Sequence, residues 1–94
     1  MTTPQIPPEE SLIEYPCDFP IKVMGLHDEA YIDQIVALVV AHAPEFDAGR
    51  HLVRRPSSSG KYIGLTLTVR ATSREQLDTI YRAVTGHPQT KYVL

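Results

Sequence analysis

Lys61-Tyr62-Ile63-Gly64-Leu65-Thr66-Leu67-Thr68-Val69-Arg70-Ala71 alternates apolar and polar residues without a break. Successive side chains of extended backbone point to opposite sides, so Ile63, Leu65, Leu67, Val69 and Ala71 share one face. Tyr62, Gly64, Thr66, Thr68 and Arg70 share the other. A long strand with one apolar and one mixed face belongs to an antiparallel sheet covered on one side. Directly after it, Thr72-Ser73-Arg74-Glu75 reads as a capping box in which Thr72 and Glu75 satisfy free amides at a helix start. Leu77, Ile80, Tyr81 and Val84 then recur at helical spacing. Gly86 suits the end of that helix, and Pro88 prevents its continuation. Lys91-Tyr92-Val93-Leu94 is a short final strand.

Upstream, Pro56-Ser57-Ser58-Ser59-Gly60 is built of turn formers and joins the long strand to a short one at His51–Arg55. Further back, Phe19, Ile21 and Val23 alternate with Pro20, Lys22 and Met24, which predicts a strand that Gly25 is expected to break. Asp28 is placed to cap a helix over Glu29–His42. Ile32, Ile35, Val36, Val39 and Val40 form its apolar stripe, with Asp33, Gln34 and Ala41 off it. Ala43-Pro44 ends the helix, because a residue before proline is pushed out of helical backbone. The β-branched stripe is a poor intrinsic helix former, so the helix depends on packing. Residues 1–14 carry Pro4, Pro7 and Pro8 and read as an irregular tail, whose end, around Ser11–Tyr15, is an arm against the domain at 15–94. The order β-α-β-β-α-β predicts an α+β, ferredoxin-like two-layer sandwich: a four-stranded antiparallel sheet with both helices on one face.

Composition narrows the function classes. Cys17 is the single cysteine, so no internal disulfide forms, which fits a reducing compartment. No apolar run approaches the ~20 residues of a membrane span, and the first residues lack the basic and apolar regions of a signal peptide. The expected location is therefore the cytoplasm, with no membrane partner. Nine Lys and Arg against eleven Asp and Glu give a formal net charge of −2, which counts against nucleic acid as the partner.

Lys22-Val23-Met24-Gly25, His42-Ala43-Pro44, Pro56-Ser57-Ser58-Ser59-Gly60-Lys61-Tyr62, Ala71-Thr72 with Gln76 and Tyr81, and Val93-Leu94 occur in a familiar order and spacing. From about Tyr15 to Leu94 the chain resembles the YbeD-like family of small bacterial proteins of unknown function. That resemblance implies a ferredoxin-like fold similar to the ACT-type regulatory domains that sense amino acids. It implies no established activity, catalytic residue or cofactor, and a weak association with lipoate metabolism is its one metabolic lead. ACT domains typically carry an Asp three residues before the Gly of the first strand-to-helix turn. Lys22 stands there in this chain, against effector binding in that manner.

Three surfaces are candidates. Arg54, Arg55, Ser57, Ser58, Ser59, Gly60, Lys61 and Tyr62 bring cations and hydroxyls together, a set that suits a phosphate or carboxylate. A phosphate loop, however, precedes a helix and places Ser or Thr after its Lys, where Tyr62 stands. The plainer reading is a solvated hairpin tip with Tyr62 packed at its base. The turn Gly25-Leu26-His27-Asp28-Glu29 opens a helix and so could attract an anion, but Asp28 and Glu29 already complement the helix dipole. His27 there is more simply an exposed loop residue. The third surface is the open face of the sheet, with Lys22, Met24, Tyr62, Thr66, Thr68 and Arg70. RNA-recognition modules stack bases on aromatics in this place. One aromatic and an acidic balance favour instead a protein partner or a second copy of the chain.

No catalytic or metal site is expected. His27, His42, His51 and His87 are scattered without ligand spacing, and His42 is expected to contact the last carbonyls of its own helix. Cys17 is expected to be a small, buried or half-buried side chain. The residues point to a non-catalytic regulatory or adaptor domain that binds a protein partner and uses no cofactor. The alternative is an ACT-like sensor that forms a homodimer and binds an amino acid or other small anionic metabolite near Gly25 and His27.

Overall fold

The computed structural model describes residues 14–94. Of the tail or arm expected over residues 1–14, residues 1–13 lie outside the described residues. The long alternating strand is β3, Tyr62–Ala71, and its burial alternates residue by residue as its sequence does. It pairs antiparallel along its whole length with β1, Cys17–Leu26, from Cys17 opposite Ala71 to Leu26 opposite Tyr62. On its other side β3 pairs antiparallel with β2, Leu52–Pro56. The last strand, β4, Thr90–Val93, pairs antiparallel with β1. The sheet order is β2-β3-β1-β4, a ferredoxin-like arrangement with helices on one face.

Three helices connect the strands: α1 Glu29–His42, α2 Ala48–His51 and α3 Arg74–Thr85. Ile21 and Val23 of β1 and the odd-numbered residues of β3 meet Tyr31, Ile32, Ile35 and Val39 of α1 and Leu77, Ile80 and Val84 of α3 in one core. Tyr15 and Cys17 pack half-buried against that core. Asp28 caps α1 as expected, its carboxylate accepting from the Ala30 amide at 2.9 Å.

Four expectations need correction. First, Gly25 does not break β1, which runs on to Leu26. Gly25 is buried beneath the Tyr31 ring, and a Cβ there would overlap the ring's hydroxyl end. Glycine is needed for close approach, not for a turn.

Second, the cap of α3 lies one residue later than the box Thr72–Glu75. Ser73 Oγ accepts from the Gln76 amide at 3.1 Å, and Gln76 Oε1 accepts from the Thr72 amide at 2.6 Å. Gln76 also donates from Nε2 to the His42 carbonyl at 2.8 Å. One amide side chain thus opens α3 and closes α1, and the His42 carbonyl is satisfied from a neighbouring helix.

Third, His51 does not open the second strand as expected: it ends a single-turn helix, α2, and β2 runs Leu52–Pro56. Asp47 Oδ1 accepts from the Gly49 amide at 2.9 Å, and His51 Nδ1 accepts from the Asp47 amide at 3.0 Å. This turn seats Phe46, only 6% exposed, in the core. Fourth, the α1 stripe is rotated: Tyr31 is buried and Val40 is exposed.

Tyr31 reaches across the fold to bond Thr90 Oγ1 at 2.8 Å. Burial pushes its phenol above the ordinary tyrosine range, partly offset by that bond, and burial does the same to Tyr81. A raised folded-state value means the folded protein holds a proton that the unfolded chain sheds from about pH 10 upward. Stability is therefore whole below that pH and falls as pH rises above it. Urea unfolding at stepped alkaline pH should show that fall, and Tyr31→Phe with Tyr81→Phe should flatten it.

Candidate functional site

The turn after β1 and the β2–β3 hairpin, two of the candidate surfaces, lie side by side because Leu26 pairs with Tyr62. The His27 amide donates to the Lys61 carbonyl at 2.9 Å, and His27 Nδ1 lies 3.0 Å from the Gly60 carbonyl oxygen. The hairpin tip closes on itself. The Gly60 amide donates to the Ser57 carbonyl at 2.9 Å, and Gly60 has φ +76, a left-handed conformation that favours glycine. Ser57 Oγ accepts from the Tyr62 amide at 3.1 Å and Ser59 Oγ from the Lys61 amide at 3.3 Å. Two of the three serine hydroxyls are thus engaged within the turn, and Ser58 is exposed.

The basic residues of the hairpin separate. Arg54 lies opposite Leu65, on the parity of the helix-covered face, and forms an ion pair with Glu29 at the start of α1. Arg55 lies opposite Gly64 and takes the other face. There it lines a shallow cavity of about 200 Å³ together with Lys22, Met24, Gly64, Tyr92 and Leu94. Beside the cavity, at the hairpin end, the Lys61 and Lys91 ammonium groups stand 5.6 and 5.1 Å from the Tyr62 ring centroid. Lys22, Met24, Arg55, Lys61 and Tyr62 therefore belong to one surface. Gly25 is buried beneath Tyr31, while Arg54 and His27 are engaged elsewhere.

Tyr92, Lys91, Leu94, Val53 and Gly64 complete this surface and were not singled out by the sequence. Tyr92 sits opposite Met24. Val53, Tyr92 and Leu94 are 63, 51 and 72% exposed, unusually open for large apolar residues. Among the described residues, the ion pairs are Arg54–Glu29 and Arg70–Asp18. Lys22, Arg55, Lys61 and Lys91 form no ion pair among the described residues.

Gly64 is the unusual residue. Glycine in a strand interior weakens the strand and often marks a place where a ligand or another backbone approaches closely. Gly25 has an internal reason in Tyr31, and Gly60 has one in its φ. At Gly64 an added Cβ would meet only the Arg55 carbonyl oxygen at 3.6 Å and Met24 Cε at 3.7 Å, both ordinary contacts. Nothing inside the fold demands the missing side chain, and its absence leaves the cavity floor open.

A second cavity of about 160 Å³ lies at the other end of the sheet, lined by Asp18, Glu45, Phe46, His51, Thr68 and Arg70. The Arg70–Asp18 pair at 3.3 Å neutralises part of it. Among the described residues no group of three or more His, Cys, Asp or Glu side chains is placed to hold a metal ion. No helix there is long and apolar enough to cross a membrane.

The chain is similar to several proteins over nearly its full length. A UPF0250 protein of Janthinobacterium sp. (strain Marseille) is 60% identical over 90 residues, covering 96% of this chain and 98% of that protein. A UPF0250 protein of Ralstonia nicotianae is 61% identical over 92 residues, covering 98% and 94%. One from Bordetella pertussis is 56% identical over 89 residues, covering 95% and 97%. The profile of the family described as "Protein of unknown function (DUF493)" matches residues 10–94, and the chain belongs to that family.

Proposed function

We propose that this protein is a regulatory or adaptor domain that works by docking another protein on the uncovered face of its sheet. Gly64 carries this reading: a glycine inside β3 that the fold does not need, under a cavity rimmed by exposed Tyr92 and Leu94. An apolar patch on an otherwise polar surface is the usual mark of an interaction site. The alternative, an ACT-like sensor for a small anionic metabolite, has less support. The cavity lies away from the expected effector position, since neither Gly25 nor His27 lines it. His27, the polar group nearest the expected effector position, is engaged with the Gly60 carbonyl.

A photocrosslinking amino acid tests the docking reading in cells. Placed at Thr66, beside the cavity, it should give a discrete heavier adduct that Gly64→Val abolishes. The same group at Asp78, exposed on α3, should give none. An adduct from Asp78 alone, or no adduct from Thr66, overturns the proposal.

A further inference from the structure

We infer that the docked partner presents an acidic segment carrying one apolar anchor side chain. This deepens the docking reading above and rests on it. Lys22 and Arg55 flank the cavity, while Lys61 and Lys91 hold two more positive charges over Tyr62. None of the four has an ion-pair partner among the described residues. Yet the chain carries a formal net charge of −2, so its charge is divided between surfaces. Arg54 and Glu29 illustrate the division, since they neutralise each other on the parity of the helix-covered face.

An unpaired cationic face selects a partner of opposite sign and repels its own kind. Two copies meeting through this face would set one cationic patch against another, which disfavours a homodimer there. The apolar part of the site fixes the second requirement. Met24, Gly64, Tyr92 and Leu94 bound a cavity of about 200 Å³, below the roughly 300 Å³ at which drug-sized ligands are enclosed. A single anchoring side chain seated in such a pocket is the common energetic centre of a protein interface.

RNA would use the same positive charge but needs free aromatic platforms at the middle of the sheet. Gly64, Thr66, Lys22 and Met24 occupy that middle, and the exposed Tyr92 stands on the edge strand β4. The Tyr62 ring, at its end, already carries two ammonium groups.

Fluorescence anisotropy of the full chain with labelled probes tests the inference. The probes are a peptide alternating Glu and Ser around one central Phe, the same peptide with Ala for Phe, the same with Lys for Glu, and an oligouridine RNA. The acidic Phe peptide should bind best, and more weakly at about 200 mM than at about 50 mM salt. Lys22→Glu and Arg55→Glu should each weaken it at least about tenfold, and so should Gly64→Val or loss of the Phe anchor. Lys22→Gln and Arg55→Gln should weaken it less than the reversals do. Arg74→Glu and Arg82→Glu on the exposed side of α3 should leave it unchanged.

Tighter binding of the RNA, lost with the same substitutions, overturns the inference in favour of nucleic acid. Equal binding of the lysine peptide overturns the charge requirement. If no peptide binds while the Thr66 crosslink persists, docking stands and the acidic anchor falls. If the crosslink is absent as well, the docking reading fails with it.

Discussion

Gly25→Ala should destabilise the protein by about 3 kcal/mol, the upper end for overpacking a well-filled core. For a domain of this length that is a fall of roughly 12–24 °C in Tm. The added methyl would occupy the space of the Tyr31 ring, which is fully buried. That ring is rigid and cannot swing aside, because Thr90 holds its hydroxyl and His87 packs edge-on at 4.9 Å between centroids. Accommodating the methyl requires displacing the ring and losing the Thr90 bond, or shifting α1 away from β1. Urea unfolding of Gly25→Ala, Tyr31→Leu and the double variant separates these terms. The double variant should be much less damaged than the sum of the singles, because leucine vacates the space the methyl needs. A change within about 0.5 kcal/mol for Gly25→Ala alone, the range of an ordinary surface site, would mean that Tyr31 is not wedged against β1.

Gly25 also shows how far the amino-acid sequence can be read. Period-two alternation placed every core residue of β3 correctly, because burial on one side and water on the other act on each position independently. A glycine has no such single meaning. The same letter at positions 25, 60 and 64 serves close approach, a left-handed turn and an open cavity floor, and only the neighbouring atoms distinguish them. The partner of Gly25, Tyr31, was missed for the same reason. Its bond to Thr90 spans 59 residues of sequence, and no local spacing marks it.

The α3 cap was misplaced by one position because Thr72-Ser73 and Glu75-Gln76 offer two overlapping boxes. Gln76 decides between them by reaching the His42 carbonyl of another helix. On the candidate site, the separation of Arg54 from Arg55 was legible in principle, since neighbours in a strand face opposite ways. The place of Tyr92 was not legible. A four-residue strand such as β4 has too few positions to set its own face, and its pairing opposite Met24 sets it instead.

Leu67→Ala should cost about 3–4 kcal/mol, in the range for removing a fully buried leucine, whereas Thr66→Ala, one residue away, should cost about 0.5 kcal/mol or less. Leu67 has no exposed surface and lies between Ile21 and Leu52 in the middle of the sheet. Its removal leaves a cavity that both helices would have to move to fill. Thr66 pairs with Lys22 and Val53 on the open face and lines the Gly64 cavity. The measurement is the urea midpoint of each variant, read at unchanged slope so that a shift reports stability rather than a changed unfolded state. Docking should invert the order: Thr66→Ala alters the cavity rim in a fully folded protein, while Leu67→Ala leaves the rim residues in place in whatever fraction remains folded. If Thr66→Ala destabilises the isolated protein as severely as Leu67→Ala, the open face is already covered in solution. A partner would then have to displace that cover before it could bind.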